Sequence, residues 1–199
     1  AWAFATAGHE APELFNAIAA EAVRRRMGGF NEQNLSNTAW AFATAGHESP
    51  ELFNVISAEA VRRRLGGFTE QGFSNTAWAF ATAGHEAPEL FNAIAAESVR
   101  RRLGGFNAQE LTNMAWAFAT AGHEAPDLFN AISAEAVRRR LGGFTEQNLS
   151  NTAWAFATAG HASSELFNAI SAESVRRQLG GFNPQDLSNT AWAFATAGH

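Results

Sequence analysis

Apolar positions over residues 31–68 fall into two helical stripes. Leu35, Ala39, Phe42 and Ala43 stand at i, i+4, i+7 and i+8, the spacing that lines one face of a helix. Asn31 precedes them as an N-cap residue, and Gly46 follows where a helix closes on a left-handed residue. This predicts a helix A over about residues 32–45. Ser49-Pro50 opens a second helix, since Pro at the first helical position gives up only an N–H that has no partner anyway. Leu52, Phe53, Ile56 and Ala60 form its stripe, with Val61 and Leu65 on a second flank, and Gly66-Gly67 stop it. Helix B is thus predicted over about residues 50–65. No segment alternates with period two, and the Ala-rich stretches favour helix over strand.

The pattern recurs every 38 residues, marked by Trp2, Trp40, Trp78, Trp116, Trp154 and Trp192 and by six His from His9 to His199. One helix pair cannot bury its apolar faces alone, whereas stacked pairs share a continuous core. The expected fold is all-α: an αα-solenoid, a right-handed superhelix, forming one repeat domain over residues 1–199 as five periods and a terminal half-repeat. The first two copies differ at only seven positions, which implies recent duplication or design. The chain starts halfway through a helix A, at Ala1 to His9, and stops with one at His199. Neither end carries a polar cap, so end-to-end self-association is expected.

The chain has no Cys, which excludes disulfide scaffolds and thiolate metal sites. It has no apolar run long enough to cross a bilayer and no targeting segment at its start, so no membrane role is expected. The net charge of −5 argues against a generic polyanion binder, but all 14 basic residues are Arg and they are clustered. Stacked repeats would gather the clusters along one edge. Arg24, Arg62, Arg100, Arg138 and Arg176 are the candidate phosphate contacts there. A purely structural reading stands equally: Arg complements a helix C-terminus, and Glu21 can pair with Arg24 and Arg25.

Catalysis finds little support, and no enzyme, metal or cofactor is expected. The His side chains recur once per repeat, roughly 8–10 Å apart at ordinary helix spacing, too far for two to share a zinc ion. Capping of backbone carbonyls at the A–B corner is the favoured role. Trp40 and its copies either stack on bases or pack between repeats, the latter being favoured. The surface of helix A opposite Leu35 says more. Gln33, Asn37 and Thr44 share a narrow arc there, as do Gln71, Asn75 and Thr82; Gln109, Asn113 and Thr120; Gln147, Asn151 and Thr158; and Gln185 and Asn189. A ridge of amides on stacked helices can read base edges, one base per repeat. The alternative is a ladder of amides stitching the A helices together. Position 34 varies (Asn34, Gly72, Glu110, Asn148, Asp186), either tuning recognition or as tolerant surface.

Phe30 to His47, with its Asn-Thr-Ala-Trp-Ala-Phe-Ala core and Gly-His end, resembles the octotricopeptide repeat. The 38-residue period and the Pro-Glu-Leu-Phe opening at Pro12 to Phe15 are similar to that family too. The resemblance covers nearly the whole chain and implies action on specific RNAs in chloroplasts or mitochondria. The expected function is therefore sequence-preferring binding of single-stranded RNA along helix A. The competing reading is a non-catalytic scaffold or protein-binding module with no nucleic-acid ligand.

Overall fold

The computed structural model describes residues 11–199, so Trp2, His9 and the expected half-helix Ala1 to His9 lie outside the described residues. Among the described residues ten helices follow one another. The B type comprises α1 (Pro12–Arg24), α3 (Pro50–Arg62), α5 (Pro88–Arg100), α7 (Pro126–Arg138) and α9 (Ser164–Arg176). The A type comprises α2 (Glu32–Thr44), α4 (Glu70–Thr82), α6 (Ala108–Thr120), α8 (Glu146–Thr158) and α10 (Pro184–Ala197). Within each unit helices pack on the helix two places along, which is the stacking of an αα-solenoid.

Contacts divide the chain into two units, Ala1–Glu97 and Ser98–His199. In the first, α1 packs on α3 and α2 on α4; in the second, α6, α8 and α10 stack in order and α7 packs on α9. Within each unit the A helices approach one another more closely than the B helices do. The expected stripes form the core: Leu35, Phe42 and Ile56 are wholly buried and Phe53 nearly so. In α1, α3, α7 and α9 the Phe of the B helix meets the Phe of the next A helix edge to face, with ring centroids 5.0 Å apart for Phe15–Phe42 and 4.9 Å for Phe53–Phe80. Truncating such a Phe to Ala costs about 3–5 kcal/mol.

The helix ends explain the registers. Each A helix with a described cap begins on Asn or Thr; the Asn31 side chain accepts from the Asn34 N–H at 2.8 Å. The variable position 34 answers in kind, because Asn34 Oδ1 accepts from the Asn31 N–H, and Glu110, Asn148 and Asp186 repeat this capping box. Its variation therefore stays within residues able to cap, Gly72 excepted. The A helices stop in a Schellman motif: Gly46 takes φ +60° and the His47 N–H reaches the Phe42 carbonyl at 3.0 Å.

Helix B ends at Arg62, three residues short of the expected Leu65. The same motif stops it early, with the Leu65 N–H bonded to the Ala60 carbonyl at 3.1 Å. Here, however, the left-handed residue is Arg64 at φ +52°, followed by Leu65 at +53°. That conformation costs an L-residue roughly 1–2 kcal/mol. It turns Leu65 inward, where only 1% of its surface stays exposed.

Two hydroxyl pairs, one buried and one half-buried, join helices in the second unit. Thr112 and Thr152 meet Oγ1 to Oγ1 at 3.0 Å, and Ser133 and Ser163 Oγ to Oγ at 2.7 Å. Ser98 and Ser174 are buried with no hydrogen-bond partner for their Oγ. Ala22, Ala60 and Ala136 fill that register in the other copies.

Candidate functional site

Helical spacing puts Gln33, Asn37, Trp40 and Thr44 on one stripe of α2, because steps of four, three and four residues return to nearly the same side. Gln33 and Thr44 are exposed, while Asn37 and Trp40 are half-buried. The other A helices repeat the arrangement: Gln71, Gln109, Gln147 and Gln185 are exposed, as are Thr82, Thr120 and Thr158, and Asn75, Asn113, Asn151 and Asn189 are half-buried. Among the described residues, none of these Gln, Asn or Thr side chains makes a hydrogen bond. The A helices are therefore not stitched by an amide ladder; the polar links between them are hydroxyl contacts, Thr112–Thr152 and Ser150 to the Asp186 carbonyl.

By register Trp40 lies within the amide arc. The rings nonetheless follow one another from repeat to repeat, with centroids 6.4 Å apart for Trp40–Trp78 and 6.3 Å for Trp154–Trp192, inclined at 33°. Inter-repeat packing and an accessible aromatic face thus coexist in one residue, and the stripe joins polar edges to flat apolar rings.

His47, His85 and His161 serve as corner struts, but they bond a side chain and not the expected carbonyl. His47 Nε2 lies 3.0 Å from Oδ1 of Asn16 on the preceding B helix, and His85–Asn54 and His161–Asn130 repeat the contact at 3.0 Å. Burial pushes the His85, His123 and His161 imidazoles below their usual range. Beside these corners lies a cleft of about 380 Å³ in the first unit, lined by Phe42, His47, Pro50, Phe53, Thr82 and His85. The second unit has a counterpart of about 360 Å³ that includes His123, Thr158 and His161. Among the described residues no group of His, Asp or Glu is placed to hold a metal ion, and no helix is long and apolar enough to cross a membrane.

The Arg clusters are largely spent on structure. Arg62 forms a two-pronged pair with Glu59 at 2.7 Å, as do Arg24 with Glu21, Arg138 with Glu135 and Arg176 with Glu173. Arg100 is not free either. The five expected phosphate contacts therefore include at least four guanidinium groups already facing carboxylates. Arg25, Arg63, Arg139 and Arg177, the second Arg of their clusters, share the same Glu, and the last three also reach the preceding repeat. Arg63 reaches Glu32 at 3.1 Å and Arg177 reaches Glu146 at 3.0 Å. Where Ala108 replaces that Glu, Arg139 donates instead to the Phe106, Leu103 and Gly104 carbonyls. Gly67 makes room for the bridge, since a Cβ there would come within 3.3 Å of the Glu32 carboxyl carbon. These pairs hold Glu21, Glu59, Glu135 and Glu173 down to about 2, chiefly through the hydrogen bonds from the first Arg.

The spacing i−31 that links His to Asn and Arg to Glu had no visible mark in the sequence, because every repeat offers the same residue types at every distance. The third Arg of each cluster differs: Arg26, Arg64, Arg102 and Arg140 are exposed and have no ionic partner among the described residues.

Helix pairs that recur every 38 residues, with a polar and aromatic stripe repeated on one helix of each pair, define a helical-repeat protein. The chain matches the family of the RNA-editing substrate-binding complex 6 protein over residues 2–196, and it belongs to that family. The match bears out a repeat protein with an RNA-related family and carries no octotricopeptide designation. No curated protein matches the chain.

Proposed function

We propose that the chain is a non-catalytic subunit that binds single-stranded RNA along the exposed stripe of its A helices, acting as one repeat domain over residues 1–199. The observation that carries this reading is the set of unspent amides. Gln33, Asn37, Thr44 and their copies present donors and acceptors that bond nothing in the protein, beside half-exposed Trp rings. Base edges need hydrogen-bonding groups and base faces need flat apolar partners, and the stripe supplies both. The family adds an RNA-editing complex as the setting and favours the mitochondrion over the chloroplast. A ridge repeated once on each A helix fits one base per repeat. Since each copy offers the same Gln, Asn and Thr, the array should favour a low-complexity run.

The test is fluorescence anisotropy with labelled RNA homopolymers at two salt concentrations. The protein should prefer one base. Replacing Asn37, Asn75, Asn113, Asn151 and Asn189 by Ala should erase the preference and leave the salt dependence intact. Absence of RNA binding even at low salt sinks the reading and leaves a scaffold.

A further inference from the structure

We propose that Arg26, Arg64, Arg102 and Arg140, and not the first Arg of each cluster, are the residues that grip the phosphodiester backbone. The inference rests on the RNA reading above and names the phosphate half of that site.

Three observations converge on this position. The first concerns charge. In each cluster with described pairs, the first Arg closes on a Glu at 2.6–2.7 Å and the second braces the same Glu. The third is exposed, with no ionic partner among the described residues. A guanidinium facing a carboxylate must break that pair before it can hold a phosphate, whereas a free one loses only its hydration.

The second concerns the backbone. Arg26, Arg64, Arg102 and Arg140 take φ from +47° to +59° as the left-handed residue of a helix stop. The same chain closes its A helices with Gly at that point, as at Gly46 and Gly84. Gly carries no penalty there, and Asn is the usual substitute. A long cationic side chain at the B stop is therefore not what the turn itself calls for.

The third concerns place. The turn that carries Arg64 leads directly into α4, whose first turn presents Gln71, and Arg26 precedes Gln33 in the same way. The cation thus stands at the end of the repeat where each polar stripe begins. A strand lying with its bases on the stripe would have its phosphates within reach of this edge.

The fold contains its own control. Gln178 occupies the same position in the last copy at φ +55°, so the turn accepts Gln. The fourfold variant Arg26→Gln, Arg64→Gln, Arg102→Gln, Arg140→Gln should retain the helical signal and melt of the parent. A charge-matched control carries Gln at Arg24, Arg62, Arg100 and Arg138. Both are titrated with the labelled homopolymer RNA that the parent prefers, over a range of salt. Each lost phosphate contact should lower the slope of log K against log salt by about 0.7 for a single strand, so about 3 for four. The control should keep the parent slope. Equal losses in both variants would mean a diffuse field in place of contacts and would overturn the proposal. So would an unchanged slope in the first variant; in either case RNA binding by the parent would leave the broader reading standing. A parent that binds no RNA removes both.

Discussion

Replacing Ser174 and Ser98 by Ala should make the protein more stable. Both hydroxyls are buried, with 5% and 0% of the residue exposed, and neither has a hydrogen-bond partner. Leaving a buried polar group unsatisfied costs about 1–3 kcal/mol. Ala is also the better helix former, by up to about 0.5 kcal/mol. The void left by one oxygen is smaller than a methyl group and takes back part of the gain. A net stabilisation of about 1–2 kcal/mol per site follows. The sites lie two repeats apart and share no partner, so their effects should add. At about 2–4 °C per kcal/mol for a chain of this length, the double variant should melt roughly 4–16 °C above the parent. Circular dichroism gives the melt. Because repeat arrays can unfold in parts, hydrogen exchange on α5 and α9 locates the gain. The converse substitution, Ala60→Ser, should cost a similar amount. An unchanged or lower melting temperature in Ser174→Ala would show that the hydroxyl is satisfied and that the reasoning is wrong.

Two further outcomes follow from the charges and the exposed end. Because Glu21, Glu59, Glu135 and Glu173 are held at about 2 in the fold against 4.5 when unfolded, their contribution is complete above pH 4.5 and lost as pH falls toward 2. His85, His123 and His161 are also lowered, so a separate loss should begin as pH falls through 6.5. A melt series from pH 8 to 2 should show both steps; stability rising on acidification would contradict the assignment. Leu179 and Leu187 are exposed, at 42% and 43%, in the registers that bury Leu65 and Leu35 in earlier copies, and Val175 and Trp192 are exposed too, at 69% and 46%. We expect concentration-dependent self-association through this face in sedimentation, abolished by Leu187→Asp; a monomer at every concentration would refute it.

The fold was legible because a core stripe is a local property. Leu35, Phe42, Phe53 and Ile56 declare their side of the helix within two turns of chain, and Gly46 declares where α2 stops. The end of α3 was not legible, because Arg64 and Leu65 carry no mark of a left-handed turn; burial of Leu65 selects it. The site was half legible. Helical spacing already aligns Gln33, Asn37, Trp40 and Thr44, and only the structure showed that Gln33 and Thr44 are exposed, that Asn37 is half-buried and that the amides and Thr bond nothing. The role of the Arg clusters was hidden for another reason. Three adjacent Arg residues look alike in sequence, and what separates Arg62, Arg63 and Arg64 is where Glu59 and Glu32 stand in space.

Near-identity among copies creates a problem of address. If every interface were the same, a helix pair could dock one place out along the array and satisfy its core equally well, a failure to which repeat proteins are prone. The hydroxyl pairs supply postmarks. Ser133 meets Ser163 only when α7 lies on α9; the corresponding positions in the first unit hold Ala19 and Ser49. Thr112 needs Thr152, and Arg139 finds carbonyls at the one repeat where Ala108 withholds a carboxylate. Misfiled pairs strand a buried oxygen or a guanidinium without its partner, a penalty that apolar contacts alone do not impose. An array homogenised to a single consensus would keep the strength of each joint and lose the means of telling one joint from the next.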